Sequence, residues 1–225
     1  MFIPALLARG REGYRSLERK TLVGFDGSPV AEATITPPLL VHDFARRTTT
    51  ALRALPVDEL LEIFARAAGI FRDGRPDGLD PETYVRSASL TSGMPSSIMR
   101  RQTLGLFHTA FRSMGRFLEA QSPGGLQVFD SNTYHTGDAS IGLVPRGRNV
   151  GFVMPGNHPS THFMWLGALA MKFPVVVRPS EDDVFTPYRL ATALLEAGLP
   201  EEIIGGFDRH GAEQFNVGRL AAARY

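Results

Sequence analysis

Two short apolar runs without polar alternation lie in the second half of the chain. They cover Asn149 to Met154 and Pro174 to Val177, and the segment between them, Thr161 to Lys172, is long enough for a helix. Such runs, joined by a crossover of this length, are typical of neighbouring parallel strands. We therefore expect two parallel strands that are buried on both faces and joined by a right-handed crossover.

The same pattern continues into a second helix and a third strand. Thr186 as N-cap, Pro187 at the first helical position and Gly198 after the last apolar residue predict the helix. The predicted third strand is Ile203 to Phe207. The order βαβαβ predicts an α/β fold built on an incomplete, Rossmann-like parallel sheet.

Upstream, the pattern predicts a β-hairpin followed by helices. Two strand-like runs, Lys20 to Phe25 and Val30 to Ile35, flank an Asp-Gly turn. Helices are expected from Leu39 to Leu55, between Pro56 and Gly74, from Glu82 to Leu90, and from Ser96 or Ser97 to about Glu119. Leu126 to Val144 alternates loosely and predicts extended segments. Because the helices precede the βαβαβ unit, we expect them to pack on its flank.

Polar residues follow both of the predicted parallel strands. Pro155 to His158 comes after the first strand, and Arg178 to Glu181 comes after the second. Ligands of open α/β sheets bind beyond the carboxyl ends of the strands. We therefore expect the two loops to open onto the same edge of the sheet and to form the functional site.

Composition narrows the classes of function. The chain has 225 residues, of which 43% are hydrophobic and 21% charged, and its formal net charge is +1. This charge gives no reason to expect nucleic acid or an anionic membrane as a partner. No apolar run is long enough to span a membrane, and the first residues lack the pattern of a signal peptide, so we expect a cytoplasmic protein.

The residue types also limit the chemistry of the chain. It contains no cysteine, which excludes disulfides, thiolate metal sites and a cysteine nucleophile among these residues. The six histidines show no metal-ligand spacing, so no metal site is expected.

The residues at the strand ends carry a family resemblance. GFVMPGNHP at 151–159, VVVRPSE at 175–181, Thr186-Pro187 and LLEAGLP at 194–200 resemble the aldehyde dehydrogenase superfamily. In that family one strand ends in Pro-Trp-Asn-Phe-Pro, the next ends in Lys-Pro-Ser-Glu, and a helix closes with Ala-Gly-Leu-Pro. The match keeps order and register over about fifty residues, which is more specific than a lone glycine fingerprint.

The resemblance implies a division of the chain. Residues 1–148 would form an N-terminal arm, a helical flank and extended segments of the cofactor domain, and residues 149–225 the βαβαβ part of the NAD(P)-binding domain. The downstream motifs of the family and its catalytic domain are absent, which implies a truncated member. Family members build an intersubunit sheet from extended segments, so the implied partner is a second copy in a homo-oligomer or a separately encoded catalytic half.

Asn157 is the candidate catalytic residue. It resembles the family asparagine whose amide donates a hydrogen bond to the oxyanion formed when a thiolate adds to the substrate carbonyl. Such a donor is worth roughly 3 kcal/mol of barrier in a water-poor site. The alternative from the residues alone is that Asn157 caps the following helix, because Asn favours caps and Pro159 suits a helix start.

The resemblance also implies a dinucleotide cofactor, NAD or NADP. The residues that the two motifs assign to it are Met154, Pro155, Gly156, Arg178, Ser180 and Glu181. Arg178 and Glu181 resemble the Lys and Glu that hold the adenosine ribose. A guanidinium in place of the family lysine favours bidentate partners such as a 2′-phosphate, which would make the cofactor NADP. The alternative is a surface salt bridge of Arg178 with Glu181 or Asp182.

Gly156 and His158 stand where the family has Trp and Phe. The loss of both rings widens the entrance and adds a titratable imidazole. Some family branches reduce acyl-CoA or acyl-protein thioesters, and a wider, polar mouth suits such a substrate better than a small free aldehyde. A lone His at a turn is more often merely solvated, so His158 is assigned no catalytic role.

The implied function is that of the N-terminal, cofactor-binding part of an NAD(P)-dependent oxidoreductase acting on an aldehyde or an acyl thioester. Its cysteine would come from outside this chain, so we expect the chain alone to be inactive. The alternative is a non-catalytic module for nucleotide binding or subunit association.

Overall fold

The structure, a computed structural model, describes residues 2–3, 17–37, 39–40, 43, 46 and 50–206. Its first sheet has three strands in the order β1–β3–β2. They are β1 (Phe2–Ile3), β2 (Arg19–Val23) and β3 (Pro29–Thr34). β2 and β3 form the predicted antiparallel hairpin, in whose turn Asp26 Oδ1 accepts a hydrogen bond from the Ser28 amide at 2.9 Å. β1 lies outside the predicted hairpin and pairs parallel with β3.

Helices form the next part of the described chain. They are α1 (Ala51–Ala54), α2 (Val57–Asp73), α3 (Pro81–Ser92), α4 (Ser96–Ile98), α5 (Leu104–Arg112), α6 (Met114–Gln121) and α7 (Val128–Ser131). The helices expected after Pro56 and from Glu82 onward are confirmed as α2 and α3. Part of the helix expected over 39–55 lies outside the described residues, and α1 forms its last turn.

The long helix expected over 96–119 is interrupted in two places. Met99–Thr103 forms a π-helical turn between α4 and α5, and Ser113 separates α5 from α6. Ser113 departs from helical geometry, with φ at −98° and ψ at 7°, and Gly115 follows it. Small residues and π turns are usual causes of helix kinks, and the expectation of one continuous helix is wrong.

The segment expected to be extended, Leu126 to Val144, is helical at its start. Val128 is buried in α7 rather than placed in a strand. The extended part is an antiparallel hairpin of β4 (Thr133–Thr136) and β5 (Ala139–Gly142). Tyr134 and Ile141 are cross-strand neighbours in it.

A second three-stranded sheet follows, with strands in the order β6–β7–β8. The strands are β6 (Val150–Val153), β7 (Val175–Arg178) and β8 (Ile204–Gly206). Both pairs are parallel, and Val175 is the partner of Val150 on one side and of Ile204 on the other. The predicted parallel order is therefore confirmed. Phe207, the last residue of the predicted third strand, lies outside the described residues.

Burial differs between the two strands that were expected to be buried on both faces. The valines of β7 are buried, as expected, whereas Gly151 and Val153 of β6 are exposed, Val153 by 58%. β6 is the edge strand of the described sheet, so no described strand pairs with its outer side. The expectation of two-faced burial is wrong for β6.

The helices of this unit begin differently from the prediction. The helix expected over 161–172 starts as a 3₁₀ turn, Pro159–His162, and continues as α8 (Phe163–Ala170). The second helix, α9 (Phe185–Glu196), starts one residue before Thr186. The Asp183 carboxylate accepts a hydrogen bond from the Thr186 amide at 3.0 Å, so Asp183 has the capping role predicted for Thr186.

One hydrophobic core runs through the helices and the parallel sheet. Within it, Phe71 packs edge to face on Phe107 and Phe111, with ring centroids 5.4 and 6.2 Å apart. Each such pair contributes about 0.5–1.5 kcal/mol beyond the burial of its area. In the described part of the chain, no helix combines the length and the apolar character needed to cross a bilayer.

Arg189 on α9 links the βαβαβ unit to α2 and to the loop that follows α2. Its side chain is fully buried, and Nε donates to the Phe71 carbonyl at 2.8 Å, Nη2 to that of Gly74 at 2.9 Å, and Nη1 to that of Leu79. The guanidinium also lies 5.4 Å from the centroid of the Tyr84 ring. Burial lowers the pKa of Arg189 to about 10, which leaves the group charged at neutral pH. These bonds satisfy carbonyls at the end of α2 and in the loop that follows.

Candidate functional site

The loops that follow β6 and β7 meet at one edge of the parallel sheet. A Cβ atom added to Gly156 would lie 2.4 Å from Ser180 Oγ and 2.8 Å from Asp182 Cβ. The backbone of the first loop therefore packs directly against the second loop. The expectation that both loops open onto the same edge is confirmed. The space beside Gly156 is filled, so the wider entrance expected from this glycine is not found on that side.

Met154 and Pro155 begin the first loop. The Met154 amide donates to the Arg178 carbonyl at 2.9 Å, which extends the pairing of β6 and β7 by one residue. The Met154 side chain is buried in the core, whereas Pro155 is exposed. Met154 therefore anchors the loop, and Pro155 lies at its surface.

Asn157 is exposed in the first loop. The following 3₁₀ turn is capped by His158, whose Nδ1 accepts a hydrogen bond from the Ser160 amide at 3.1 Å. The alternative that Asn157 caps this helix is therefore wrong, and His158 has a structural role that the sequence reasoning missed. Among the described residues, no hydrogen-bond partner holds the Asn157 side chain, so its amide is available to a ligand.

Arg178 is half-buried at the end of β7. Its Nε atom is buried and has no hydrogen-bond partner within the described ranges. Leaving such a donor unsatisfied costs roughly 1–3 kcal/mol, which an oxygen of a ligand or a water would recover. The strand register sets Arg178 beside Val153, at the end of the sheet where the Asn157 loop begins. Arg178 therefore brings an unsatisfied donor to this edge.

Glu181 forms an ion pair with a residue from the first sheet. Lys20 Nζ on β2 lies 2.5 Å from Glu181 Oε2, and the two side chains are 40% and 37% exposed. The alternative drawn from the sequence was a salt bridge of Arg178 with Glu181 or Asp182. In the structure, the cation that pairs with Glu181 at this distance is Lys20. Ser180 shapes the same turn, since its Oγ accepts a hydrogen bond from the Asp182 amide at 3.2 Å. Only the tertiary fold joins Lys20 to this loop, so no local sequence signal could have found it.

A buried polar cluster lies next to the two loops. His162 and Asp183 are fully or almost fully buried, with His162 Nε2 3.6 Å from Asp183 Oδ2. The Tyr84 hydroxyl lies 2.9 Å from Thr186 Oγ1 in the same region, and burial, then the charge of Asp183, raises the pKa of Tyr84. The sequence signal for this cluster was a histidine one helical turn before Trp165. Across the described chain, no group of three or more metal-ligating side chains could hold an ion.

The fold is similar to that of several solved aldehyde dehydrogenases. An NAD-dependent benzaldehyde dehydrogenase from Corynebacterium glutamicum matches with a TM-score of 0.72 and 22% identity, over 93% of this chain and 44% of that one. A variant of aldehyde dehydrogenase C from Pseudomonas syringae, solved with NAD⁺ and octanal, matches with a TM-score of 0.72 and 17% identity, over 92% and 40% of the two chains. An aldehyde dehydrogenase from Pseudomonas aeruginosa gives a TM-score of 0.72 and 19% identity, over 93% and 42%.

At these identities the similarity is one of fold. The chain has the fold of an N-terminal portion of aldehyde dehydrogenases, and it spans 40–44% of the length of these three neighbours. No family model and no curated protein matches the sequence. The resemblance drawn from the strand-end motifs is confirmed at the level of fold.

Proposed function

We propose that this chain, with the fold of an N-terminal portion of an aldehyde dehydrogenase, is the cofactor-binding part of an NAD(P)-dependent oxidoreductase. The observation that carries the proposal is the contact between the β6 and β7 loops, where Gly156 packs on Ser180. Such an edge of a parallel sheet is where dinucleotides bind in open α/β folds, and the sheet would be part of a Rossmann-like unit. The substrate would be an aldehyde or an acyl thioester.

The cofactor would lie on the two loops. The residues proposed to hold it are Met154, Pro155, Gly156, Arg178, Ser180 and Glu181. The buried, unsatisfied Nε of Arg178 supports this assignment, because a phosphate or hydroxyl oxygen would supply its missing acceptor. Glu181 would accept hydrogen bonds from ribose hydroxyls in competition with Lys20. Bound NAD(P) supplies a hydride acceptor, which no side chain provides.

Both forms of the dinucleotide remain candidates. Arg178 and Lys20 bring two cations to the loop after β7, Lys20 through its ion pair with Glu181. Cations at this loop favour the 2′-phosphate of NADP. The neighbour from Pseudomonas syringae was solved with NAD⁺, which supports NAD. Measured affinities for the two nucleotides decide between them.

Asn157 is the proposed oxyanion donor. Its side chain is exposed in the first loop, and His158, not Asn157, caps the next helix. An amide N–H donated to the developing oxyanion would lower the barrier by roughly 3 kcal/mol in a site from which water is excluded. Asn157 would hold that proton throughout, since an amide acts here only as a hydrogen-bond donor.

The nucleophile of the proposed reaction would come from polypeptide outside these residues. A thiolate must add to the substrate carbonyl, and none of the 225 residues is a cysteine. A separate catalytic half is therefore proposed to supply the cysteine. A second copy in a homo-oligomer, the other proposed partner, has no cysteine either and would serve subunit association. The absence of cysteine also favours a second candidate function, a non-catalytic module for nucleotide binding or subunit association. A cysteine motif encoded just past Tyr225 would support the first candidate over the second.

Titration with NADH and with NADPH, followed by nicotinamide fluorescence, tests the cofactor proposal. We expect saturable binding that weakens about tenfold in Arg178→Gln, because a charge-assisted hydrogen bond is lost. Arg72→Gln is the matched control, since Arg72 is an exposed arginine of α2 paired with Asp73, and its loss leaves binding unchanged. Failure to bind either nucleotide would contradict the proposal. Oxidation of octanal by the chain alone would contradict the assignment of the nucleophile to another polypeptide.

A further inference from the structure

A serine and a histidine are in direct contact at the end of the first loop. Ser160 Oγ lies 2.7 Å from His158 Nδ1, which is a hydrogen-bond distance. The Ser160 amide donates to the same nitrogen at 3.1 Å. An amide N–H can only donate, so Nδ1 carries no hydrogen and the N–H of the ring is on Nε2. The Ser160 hydroxyl is therefore the donor in the shorter contact, and its proton points at a basic nitrogen.

The turn itself holds the Ser160–His158 pair in place. Pro159, between the two residues, is buried, and its ring fixes the backbone angle φ. The Thr161 hydroxyl donates to the His158 carbonyl at 3.0 Å. The hydroxyl and the imidazole are thus oriented toward each other before any ligand arrives, which is the arrangement that favours proton transfer between them.

The pair is accessible to a ligand. His158 and Asn157 are exposed, and Ser160 is half-buried. Among the described residues, the hydrogen-bond partner of Ser160 Oγ is His158, so the hydroxyl oxygen keeps a lone pair for attack on a carbonyl carbon. The exposed amide of Asn157 directly precedes the pair in the same loop. A hydroxyl, a base bonded to it and an amide donor are the groups that acyl transfer requires.

A second serine–histidine contact provides a comparison. Ser140 Oγ lies 2.8 Å from His135 Nδ1 across the β4–β5 hairpin, and both residues are exposed. Within the described ranges, no backbone amide donates to His135 Nδ1, so the donor in that contact is not fixed. Distance alone therefore does not identify a nucleophile. Ser160 differs from Ser140 because an amide sets the tautomer of its histidine.

We propose that Ser160 is a nucleophile that accepts acyl groups from thioesters, with His158 as its general base and Asn157 as the oxyanion donor. Sequence reasoning assigned His158 no catalytic role, as a lone histidine at a turn, and the contact with Ser160 changes that assignment. The activity uses neither a nucleotide nor a cysteine. It therefore goes beyond the proposed function and does not depend on it.

The reaction balances without an oxidant or a reductant. Ser160 Oγ forms a bond to the carbonyl carbon while its proton passes to His158 Nδ1. The carbon–sulfur bond then breaks, and the leaving thiolate takes that proton. Water hydrolyses the resulting ester by the same route, giving a proton to His158, which returns it to Ser160 as the carboxylic acid leaves. The longer contact, from the Ser160 amide, is given up while Nδ1 carries the proton.

The pair suits thioesters better than amides. In the part of the chain that the structure describes, the hydrogen-bond contacts of the His158 ring are those with Ser160, and no carboxylate stabilises an imidazolium there. Disabling such a carboxylate lowers kcat about 10⁴-fold in a serine protease. A thiolate can leave without prior protonation, whereas an amine must be protonated. Thioesters and aryl esters therefore make the smallest demand on this base.

Acetylation by 4-nitrophenyl acetate, with no nucleotide present, tests the nucleophile. We expect a burst of 4-nitrophenolate, and peptide mass spectrometry should find the acetyl group on Ser160. Ser160→Ala should abolish the burst. Ser140→Ala, the matched control, removes the hydroxyl of the other pair and should keep the full burst. An acetyl group found only on other residues, or an equal burst in Ser160→Ala, would overturn the inference.

His158→Asn separates the base from the helix cap. Asparagine is a good cap, so this variant should keep the urea midpoint of the wild-type chain. An amide is not a base, so acetylation of Ser160 should slow by roughly 10²-fold or more. His135→Gln is the matched control and should leave the rate unchanged. Acetylation at the wild-type rate in folded His158→Asn would refute the activation of Ser160 by His158.

Phenyl thioacetate and 4-nitroacetanilide test the substrate class. Thiophenol release should be catalysed by the wild-type chain and lost in Ser160→Ala, whereas the anilide should stay intact. Asn157→Ala should slow thiophenol release about 10²-fold, and an unchanged rate would contradict its role as donor. An inert thioester, or cleavage of the anilide, would overturn the substrate assignment. Because no assay contains NAD(P), a chain that binds no nucleotide fails the proposed function and can still pass these tests.

Discussion

Replacing Gly156 by alanine tests whether the two loops are held in direct contact. The new Cβ atom would lie 2.4 Å from Ser180 Oγ, 3.0 Å from Ser180 Cβ and 2.8 Å from Asp182 Cβ. Carbon atoms in contact are normally about 3.5–4.0 Å apart. Rotation of the Ser180 side chain relieves only the first contact, because both Cβ atoms are fixed to the backbone. The second loop must therefore move to admit one methyl group.

The size of the effect follows from two opposing contributions. Overpacking of this kind costs about 1–3 kcal/mol. Alanine also restricts the unfolded chain more than glycine, which returns about 0.4–1 kcal/mol where the backbone conformation suits both residues. We expect Gly156→Ala to lower the free energy of unfolding by about 1–2 kcal/mol. NADPH affinity should fall with it, because Ser180 and Glu181 lie in the displaced loop.

Urea unfolding of three variants provides the assay. Gly69→Ala is the matched control, since Gly69 is an exposed position of α2 with no atom within 4 Å of an added Cβ. This control should gain about 0.5–1 kcal/mol in stability, the usual difference between glycine and alanine in a helix. Ser180→Ala, added to Gly156→Ala, removes the shortest contact and should restore part of the loss. If Gly156→Ala stabilised the chain as Gly69→Ala does, the loops would not be in contact and the reasoning would be refuted.

Three further predictions follow from the contacts around the site. Arg189→Met should lower the free energy of unfolding by about 3 kcal/mol, because three buried carbonyls lose their donor. Arg189→Lys should lose more than half as much stability as Arg189→Met, since an ammonium lacks the planar fork of the guanidinium. The urea midpoints of the two variants measure both effects. His158→Ala should cost about 1 kcal/mol as a lost cap, whereas Asn157→Ala should change stability by less than about 0.5 kcal/mol, and equal costs would contradict the capping assignment. Lys20→Met should change stability by less than about 1 kcal/mol. It should also raise affinity for NADH relative to NADPH about threefold, and an unchanged ratio of dissociation constants would show that Lys20 does not compete for Glu181.

The parallel strands could be predicted because their apolar runs are local patterns. Pro174 to Val177 has the composition of a buried strand, and β7 is one. The run Asn149 to Met154 has the same character, yet β6 is half-exposed. Burial of a strand depends on what packs against each face, and those elements are remote in sequence. The sequence therefore predicts that β6 forms, but it does not predict the exposure of Gly151 and Val153.

Caps and helix breaks were the least predictable features. From the sequence, Asn157 and Thr186 were the expected helix caps. In the structure, His158 accepts a hydrogen bond from the Ser160 amide, and Asp183 accepts one from the Thr186 amide. The apolar positions of 96–119 continue across Ser113, so periodicity alone indicates one helix where the structure has α5 and α6 on either side of that residue. Both outcomes depend on backbone angles within one turn, which residue preferences do not determine.

The candidate site was predictable only in part. That the two strand-end loops share an edge follows from parallel pairing, and Gly156 and Ser180 do touch there. The partners supplied by tertiary structure were not predictable, because Lys20 reaches Glu181 from another sheet. The contact of His162 with Asp183 likewise needs both loops to be folded.

Arg189 is expected to couple the unfolding of the helical flank to that of the βαβαβ unit. One guanidinium is bonded at once to three carbonyls of the helical flank while its own helix belongs to the βαβαβ unit. If the helical flank unfolded alone, the buried guanidinium would lose its acceptors, and if the βαβαβ unit unfolded alone, three buried carbonyls would lose their donor. The two parts should therefore unfold in a single cooperative transition. A cut between residues 148 and 149 would separate the arginine from all three acceptors, and the two fragments would recover a native fold only by reassociating.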